Sequence, residues 1–83
     1  MRLDKFLKVS RIIKRRTVAN EACDNGRVQI NDRPAKAGTQ LKLGDKVTLF
    51  FGDKTFSFKV LSLEENVKKQ DTTSMYEVIV DEN

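Results

Sequence analysis

Histidine and tryptophan are absent from this 83-residue chain, and it has one cysteine, one proline and one tyrosine. Each scarcity removes a class of function. Without histidine the commonest general acid–base group is missing, and a zinc site would need carboxylates and a single thiol. Cys23 alone excludes an internal disulfide and suits a reducing cytoplasm. No apolar run approaches the roughly 20 residues of a membrane helix, and the N-terminus lacks the apolar stretch of a signal peptide. The chain is expected to be soluble, without cofactor or metal; the missing histidine puts catalysis at a disadvantage, and Asp4, Asp24, Asp32 and Asp45 form no evident catalytic grouping, so no enzyme is expected. Its length allows one small domain with a thin core.

What is present is charge, unevenly placed. Charged residues make up 34% of the chain and the net charge is +4. Residues 1–36 hold 10 Lys and Arg against 4 Asp and Glu, while residues 37–83 hold 6 against 8. The excess is concentrated in Arg2, Lys5, Lys8, Arg11, Lys14, Arg15 and Arg16, with only Asp4 among them. A solvated surface is the ordinary meaning of a charge run. Clustering this tight instead points to an anionic partner, nucleic acid.

Periodicity predicts an α+β domain. Leu3, Phe6, Leu7 and Ser10 fall at helical spacing, with Arg2, Lys5 and Lys8 opposite, and Asp4 can pair with Lys8 at i,i+4. A second helix is predicted from an N-cap at Thr17, with an apolar stripe of Val18, Ala22 and Cys23 and a stop at Gly26. Cys23 is read as a core residue of that stripe. Alternation predicts strands at Arg27–Asp32, Lys46–Phe51, Lys54–Leu63 and Met75–Asn83. The Asn31–Pro34 turn, the Gly44-Asp45 turn and the two-residue Gly52-Asp53 hairpin punctuate them. In the third of these Phe56, Phe58 and Val60 are predicted to face inward, and in the last Tyr76, Val78 and Val80 alternate. Residues 64–74 read as a polar, mobile loop. The expected architecture is two short helices at one end of a small antiparallel sheet.

The connector "RIIKRR" between the helices poses an electrostatic problem. Four cations crowd the incoming helix N-terminus, which already carries partial positive charge. Ile12 and Ile13 are expected to fill the gap between helices, turning Arg11, Lys14, Arg15 and Arg16 outward. Free backbone amides and guanidinium forks together make a phosphate site, and an anion there relieves the repulsion.

These residues carry a resemblance. Arg2–Leu7, Ser10-Arg11, Arg15, Thr17, Ala19, Ala22, Gly26, Val28, Ile30-Asn31, Lys36, Gly38, Leu41, Gly44-Asp45 and Val47 resemble the S4 RNA-binding domain family in their order and spacing. The likeness runs from Arg2 to about Phe51. It implies an S4-like core over residues 1–51 and a β extension of the same domain over 52–83. The whole-chain form is similar to the RqcP family of ribosome-associated quality control and to the related small ribosome-associated heat-shock proteins.

That likeness implies binding to a large ribosomal subunit obstructed by peptidyl-tRNA, with contacts to 23S ribosomal RNA and the tRNA. It implies support for the partner RqcH, which delivers alanyl-tRNA for C-terminal tailing of the stalled chain. A cytoplasmic monomer with no membrane or metal partner is expected. Carried onto this chain, Arg2, Lys5 and Lys8 line the helix-one edge facing RNA. Arg11, Lys14, Arg15 and Arg16 form the connector cluster, and Thr17 and Asn20 reach phosphate or 2′-hydroxyl groups. Asp4 is either a first-turn partner of the helix dipole or a group orienting Arg2 or Arg16. Arg27 and Lys36 are second-rank contacts.

Two other readings stand beside this one. One is an S4-type chaperone or regulator of other structured RNA. The other is a basic amphipathic helix over residues 2–16 that lays Leu3, Phe6, Leu7, Ile12 and Ile13 on an acidic membrane.

Overall fold

The computed structural model describes residues 1–80. Helix α1 spans Leu3–Val9 and α2 spans Arg16–Asp24. The strands are β1 (Val28–Ile30), β2 (Arg33–Pro34), β3 (Lys46–Phe51), β4 (Lys54–Val60) and β5 (Tyr76–Ile79), with a 3-10 helix at Lys69–Met75 before the last. All strand pairs are antiparallel, in the order β2-β1-β3-β4-β5. The expected α+β class holds. Asp81–Asn83, which the sequence reading joined to the last strand, lie outside the described residues.

One face of the sheet makes the core. The register aligns Val28 with Leu49, Ile30 with Val47, Val47 with Phe58, and Phe58 with Val78. Leu3, Phe6 and Leu7 of α1 and Ala19 and Cys23 of α2 are fully buried over that face. The Phe6 ring stacks on Phe58 at 5.9 Å, and Tyr76 meets Phe58 edge-on at 5.5 Å. Such aromatic pairs add to the area they bury. The membrane reading fails here. Leu3, Phe6 and Leu7 are inside the core, and residues 2–16 are not one helix. Among the described residues no helix is long and apolar enough to cross a membrane.

Tight local chemistry sets the connections. Gly26, at φ +74°, follows α2, and the Arg27 amide donates to the Ala22 carbonyl while the Gly26 amide donates to Cys23. That pair of bonds is the Schellman stop. Asn31 and Asp32 both take positive φ and join β1 to β2 in a two-residue hairpin. The Asn31 side chain then bonds Asp45 at 3.1 Å and the Lys46 amide at 3.0 Å, locking this turn to the Gly44-Asp45 turn.

Several expectations need correction. The Asn31–Pro34 stretch is a turn only at its first half, because Arg33 and Pro34 pair with Ile30 and Gln29 as an edge strand. Proline suits an edge, where no ladder amide is needed. The expected stripe of Val18, Ala22 and Cys23 is instead Ala19 and Cys23 with Ala22 half-buried, leaving Val18 47% exposed. Small residues there let the two helices approach. Residues 64–74 are not a plain loop, since the 3-10 helix buries Thr72 and Met75. Val78 faces as expected but lies 49% exposed outside the core cluster, and Val80 lies beyond β5 at 76%.

Because Phe58 is the hub of the aromatic cluster, Phe58→Ala is expected to cost about 3–5 kcal/mol. Urea unfolding checks this through a lowered midpoint, and loss under 1 kcal/mol would show that the hub is dispensable.

Candidate nucleic-acid interface

The centre of the basic surface is an acid. Asp4, 2% exposed, lies in the first turn of α1 and faces the start of α2. Its Oδ1 accepts from the Lys5 amide at 2.8 Å and from Arg2 Nε at 3.1 Å. Its Oδ2 accepts from Asn20 Nδ2 at 3.2 Å, Arg2 Nη2 at 3.4 Å and Arg16 Nε at 3.5 Å. Burial alone would raise the carboxyl's pKa. The Asn20 bond, the Arg16 charge, the Lys5 amide and the Arg2 charge outweigh it and hold the pKa below the ordinary carboxylate range. Asp4 is thus ionised and fully engaged, and it fixes Arg2 and Arg16 side by side at the α2 N-terminus. The guanidiniums stay about half exposed (47% and 49%), so each has donors left for a ligand.

Two sequence expectations change at this point. Asp4 does not pair with Lys8: a solvent-exposed i,i+4 pair is worth only about 0.3–0.5 kcal/mol, less than charge-assisted bonds in a shielded site. Thr17 is not the N-cap. Arg15 holds that position in extended conformation (φ −111°, ψ 127°), and no side chain caps the helix. Starting α2 two residues earlier, at Arg16 in place of Val18, leaves Arg16 bonded to Asp4, at the expense of a threonine cap worth about 1 kcal/mol. No acid occupies the first turn of α2, so its leading amides and dipole add to the positive potential. Exposed Thr17, with Arg16, Asn20 and Glu21, lines a shallow depression over Asp4.

The bend itself is tightly made. Arg11 takes φ +62°, a left-handed conformation that glycine usually supplies after a helix. Its amide donates to Lys8 and that of Ile13 to Leu7. Ile12 and Ile13 are half-buried against the core. Lys14 and Arg15 are exposed, and Lys8, Arg11 and Lys14 line a second concavity with Val9, Glu65 and Val67. Lys5 points to the same side and pairs with Glu65 at 2.9 Å. The nine first-rank residues therefore divide between an Asp4-centred group (Arg2, Arg16, Asn20, with Thr17) and a basin group (Lys5, Lys8, Arg11, Lys14), with Arg15 at the junction. The structure leaves the second-rank residues apart. Arg27 borders an apolar groove with Ile12, Ile13 and Phe51, and the amide of exposed Lys36 donates to Thr39 Oγ1 while its carbonyl accepts from the Thr39 amide. Glu65 escaped the sequence reading, because nothing local signals a contact across 60 residues of chain.

The cysteine sits apart from this chemistry. Buried Cys23 has its thiol pKa pushed up to about 11 by burial and by the charges of Asp4 and Asp24. A thiol so protonated is a packing group.

With this geometry in view, comparison with known proteins is decisive. A family model described as the S4 domain matches residues 1–47. The chain belongs to the S4 domain family. In this S4 protein the matched part carries both helices, the bend and the sheet as far as the start of β3. The Streptococcus pneumoniae protein named RQC P-site tRNA stabilizing factor is 54% identical over 79 residues, covering 95% of this chain and 90% of that protein. Among solved structures, Vibrio cholerae Heat Shock Protein 15, described as trimeric, superposes with a TM-score of 0.85 at 24% identity. It covers 95% of this chain and 81% of that one, a likeness of fold alone. The solution structure of the hypothetical protein HP1423 gives 0.82 at 32% identity, covering 99% and 100%.

Replacing Asp4 separates its charge from its shape. Asp4→Asn is expected to cost about 1.5–3 kcal/mol at neutral pH, the worth of hydrogen bonds to charged groups. The folded pKa is depressed, so the carboxylate's contribution is complete above the unfolded value near 3.9 and disappears as pH falls through the lower folded value. Wild-type and Asp4→Asn stabilities should therefore converge in acid, as thermal melts from pH 7 to pH 2 would reveal. A constant gap across that range would contradict the ionised assignment.

Proposed function

We propose that this protein binds RNA backbone through the bend between α1 and α2, on a large ribosomal subunit that still holds peptidyl-tRNA. The observation that carries the reading is the buried Asp4 carboxylate holding Arg2 and Arg16 together at an uncapped helix N-terminus. A fixed pair of forks beside free amides suits a phosphodiester, which accepts two parallel N–H bonds. Such contacts read backbone shape and carry little base information. The address is taken from kinship: relatives about half identical over nearly the whole chain bear the name RQC P-site tRNA stabilizing factor.

In this reading the protein is a non-catalytic cytoplasmic clamp. Residues 1–51 form the RNA-binding core, and residues 52–83 extend the same domain. Arg2, Arg16, Thr17 and Asn20 hold one stretch of backbone, and Lys5, Lys8, Arg11, Lys14 and Arg15 hold another, across 23S ribosomal RNA and the P-site tRNA. The clamp steadies the peptidyl-tRNA while RqcH delivers alanyl-tRNA, and the ribosome forms the peptide bonds. Arg27 and Lys36 add peripheral charge.

Binding of the purified protein to large subunits with and without peptidyl-tRNA tests the reading, and tighter binding to the occupied particle is expected. Equal affinity would leave only a general S4-type RNA binder. Arg2→Ala and Arg16→Ala should each weaken binding and lower the salt slope by roughly 0.7–0.9 per lost phosphate contact. Unchanged affinity and slope in both variants would remove the proposed face. Arg11→Gly should also bind more weakly while melting no lower than wild type, because glycine relieves the positive φ at that position.

A further inference from the structure

The second concavity contains a group that RNA binding does not call for. Lys8 comes from the last turn of α1, and Arg11 and Lys14 come from the bend. Glu65, on the segment between β4 and the 3-10 helix, reaches the same basin. Its Oε1 lies 2.9 Å from Lys5 Nζ. Among the described residues no carboxylate lies within 4.0 Å of Lys8, Arg11 or Lys14. Four cations thus surround or border one carboxylate, which is bonded to only one of them. Lys5 and Glu65 are 36% and 56% exposed, so their bond opens at little cost.

Charge and position make that carboxylate resemble a ligand group. A glutamate presents two anionic oxygens on a flexible stem, as a phosphodiester does. Val9 and Val67 line the basin beside the cations, and it is open enough for a backbone phosphate to enter. Glu65 cannot neutralise all the cations, and the basin retains a positive excess when the Lys5 bond is made.

We propose that the Lys8–Arg11–Lys14 basin is a phosphate site separate from the Asp4 group, and that Glu65 is its built-in competitor. This inference rests on the RNA reading above and deepens it. RNA backbone entering the basin displaces Glu65 from Lys5 and gains Lys5 as a further contact. Stray polyanions that touch only the Asp4 group leave the Lys5–Glu65 bond closed. A target whose backbone spans both sites opens it and recovers the loss through several contacts. Glu65 thereby sharpens discrimination while lowering affinity.

The test uses the full chain, purified large ribosomal subunits and a salt titration. Glu65→Gln is expected to tighten binding about two- to fivefold, the worth of an exposed ion pair. Its salt slope should stay within one phosphate contact, roughly 0.7–0.9, of the wild-type slope, because Lys5 meets RNA backbone in both complexes. Glu64→Gln makes the same change in net charge next door and should gain less than half as much. Lys5→Ala in the Glu65→Gln background should abolish the gain. Equal or weaker binding of Glu65→Gln, or a matching gain from Glu64→Gln, would overturn the competitor role. Wild-type binding that persists and depends on Arg16 in the same assay would confine that failure to Glu65. Indifference to both Arg16 and Glu65 would instead overturn the RNA reading.

Discussion

The buried carboxylate of Asp4 is the constraint on which the rest of this small structure depends. It ties the first turn of α1 to the first turn of α2 through Arg2, Arg16, Asn20 and the Lys5 amide. Without that anion, two guanidiniums would face each other at the positive end of a helix. With it, they are held as a rigid pair whose outer donors remain available. The interaction is inexpensive for a buried charge because both carboxylate oxygens are satisfied; among the described residues no buried side-chain nitrogen or oxygen lacks a partner. Specificity for two arginine positions is bought with a single acid.

The fold behind it is a platform. Main-chain bonds from Leu3 to Thr39 and from Asp4 to Ala37 pin the start of α1 to the segment after β2. The Phe6–Phe58 stack pins the same helix to the sheet. The helix leading into the bend is therefore anchored, Ile12 and Ile13 pack the bend on the core, and buried Ala19 and Cys23 anchor the helix leaving it. Strain is accepted inside the bend, with Arg11 in a conformation that costs roughly 1–2 kcal/mol for an L-residue. A charged side chain where glycine would be easier implies that charge at that place matters more than local stability.

The sequence disclosed the parts with local causes. The Leu3–Phe6–Leu7 spacing, the Gly26 stop, the Gly52-Asp53 hairpin and the alternation around Phe58 each follow from neighbouring residues, and each appears in the structure. The errors have a common origin in contacts between distant residues. Thr17 is a sound N-cap by propensity, but Arg16 reaching Asp4, twelve residues away, moves the helix start. The inward stripe of the same helix runs through Ala19 and Cys23, leaving Val18 outward. Asp4 and Lys8 have pairing distance on a helix, yet the carboxylate turns toward α2. The polar tract before β5 hid Thr72, and Met75, expected to open the last strand, instead ends the 3-10 helix; the burial of both depends on a core assembled elsewhere. The cations of the site were legible as a list; their division into two groups, and the presence of Glu65, emerged only in three dimensions.

The central claim is that the bend between the two helices is a docking surface for RNA backbone whose cations Asp4 has already arranged. A cryo-EM map of the protein on its native particle examines that claim most directly. The expected map places phosphate oxygens within hydrogen-bond reach of the outer faces of Arg2 and Arg16 while both still contact Asp4. A map in which the bend faces bulk water and nucleic acid lies on the far side of the sheet would contradict it.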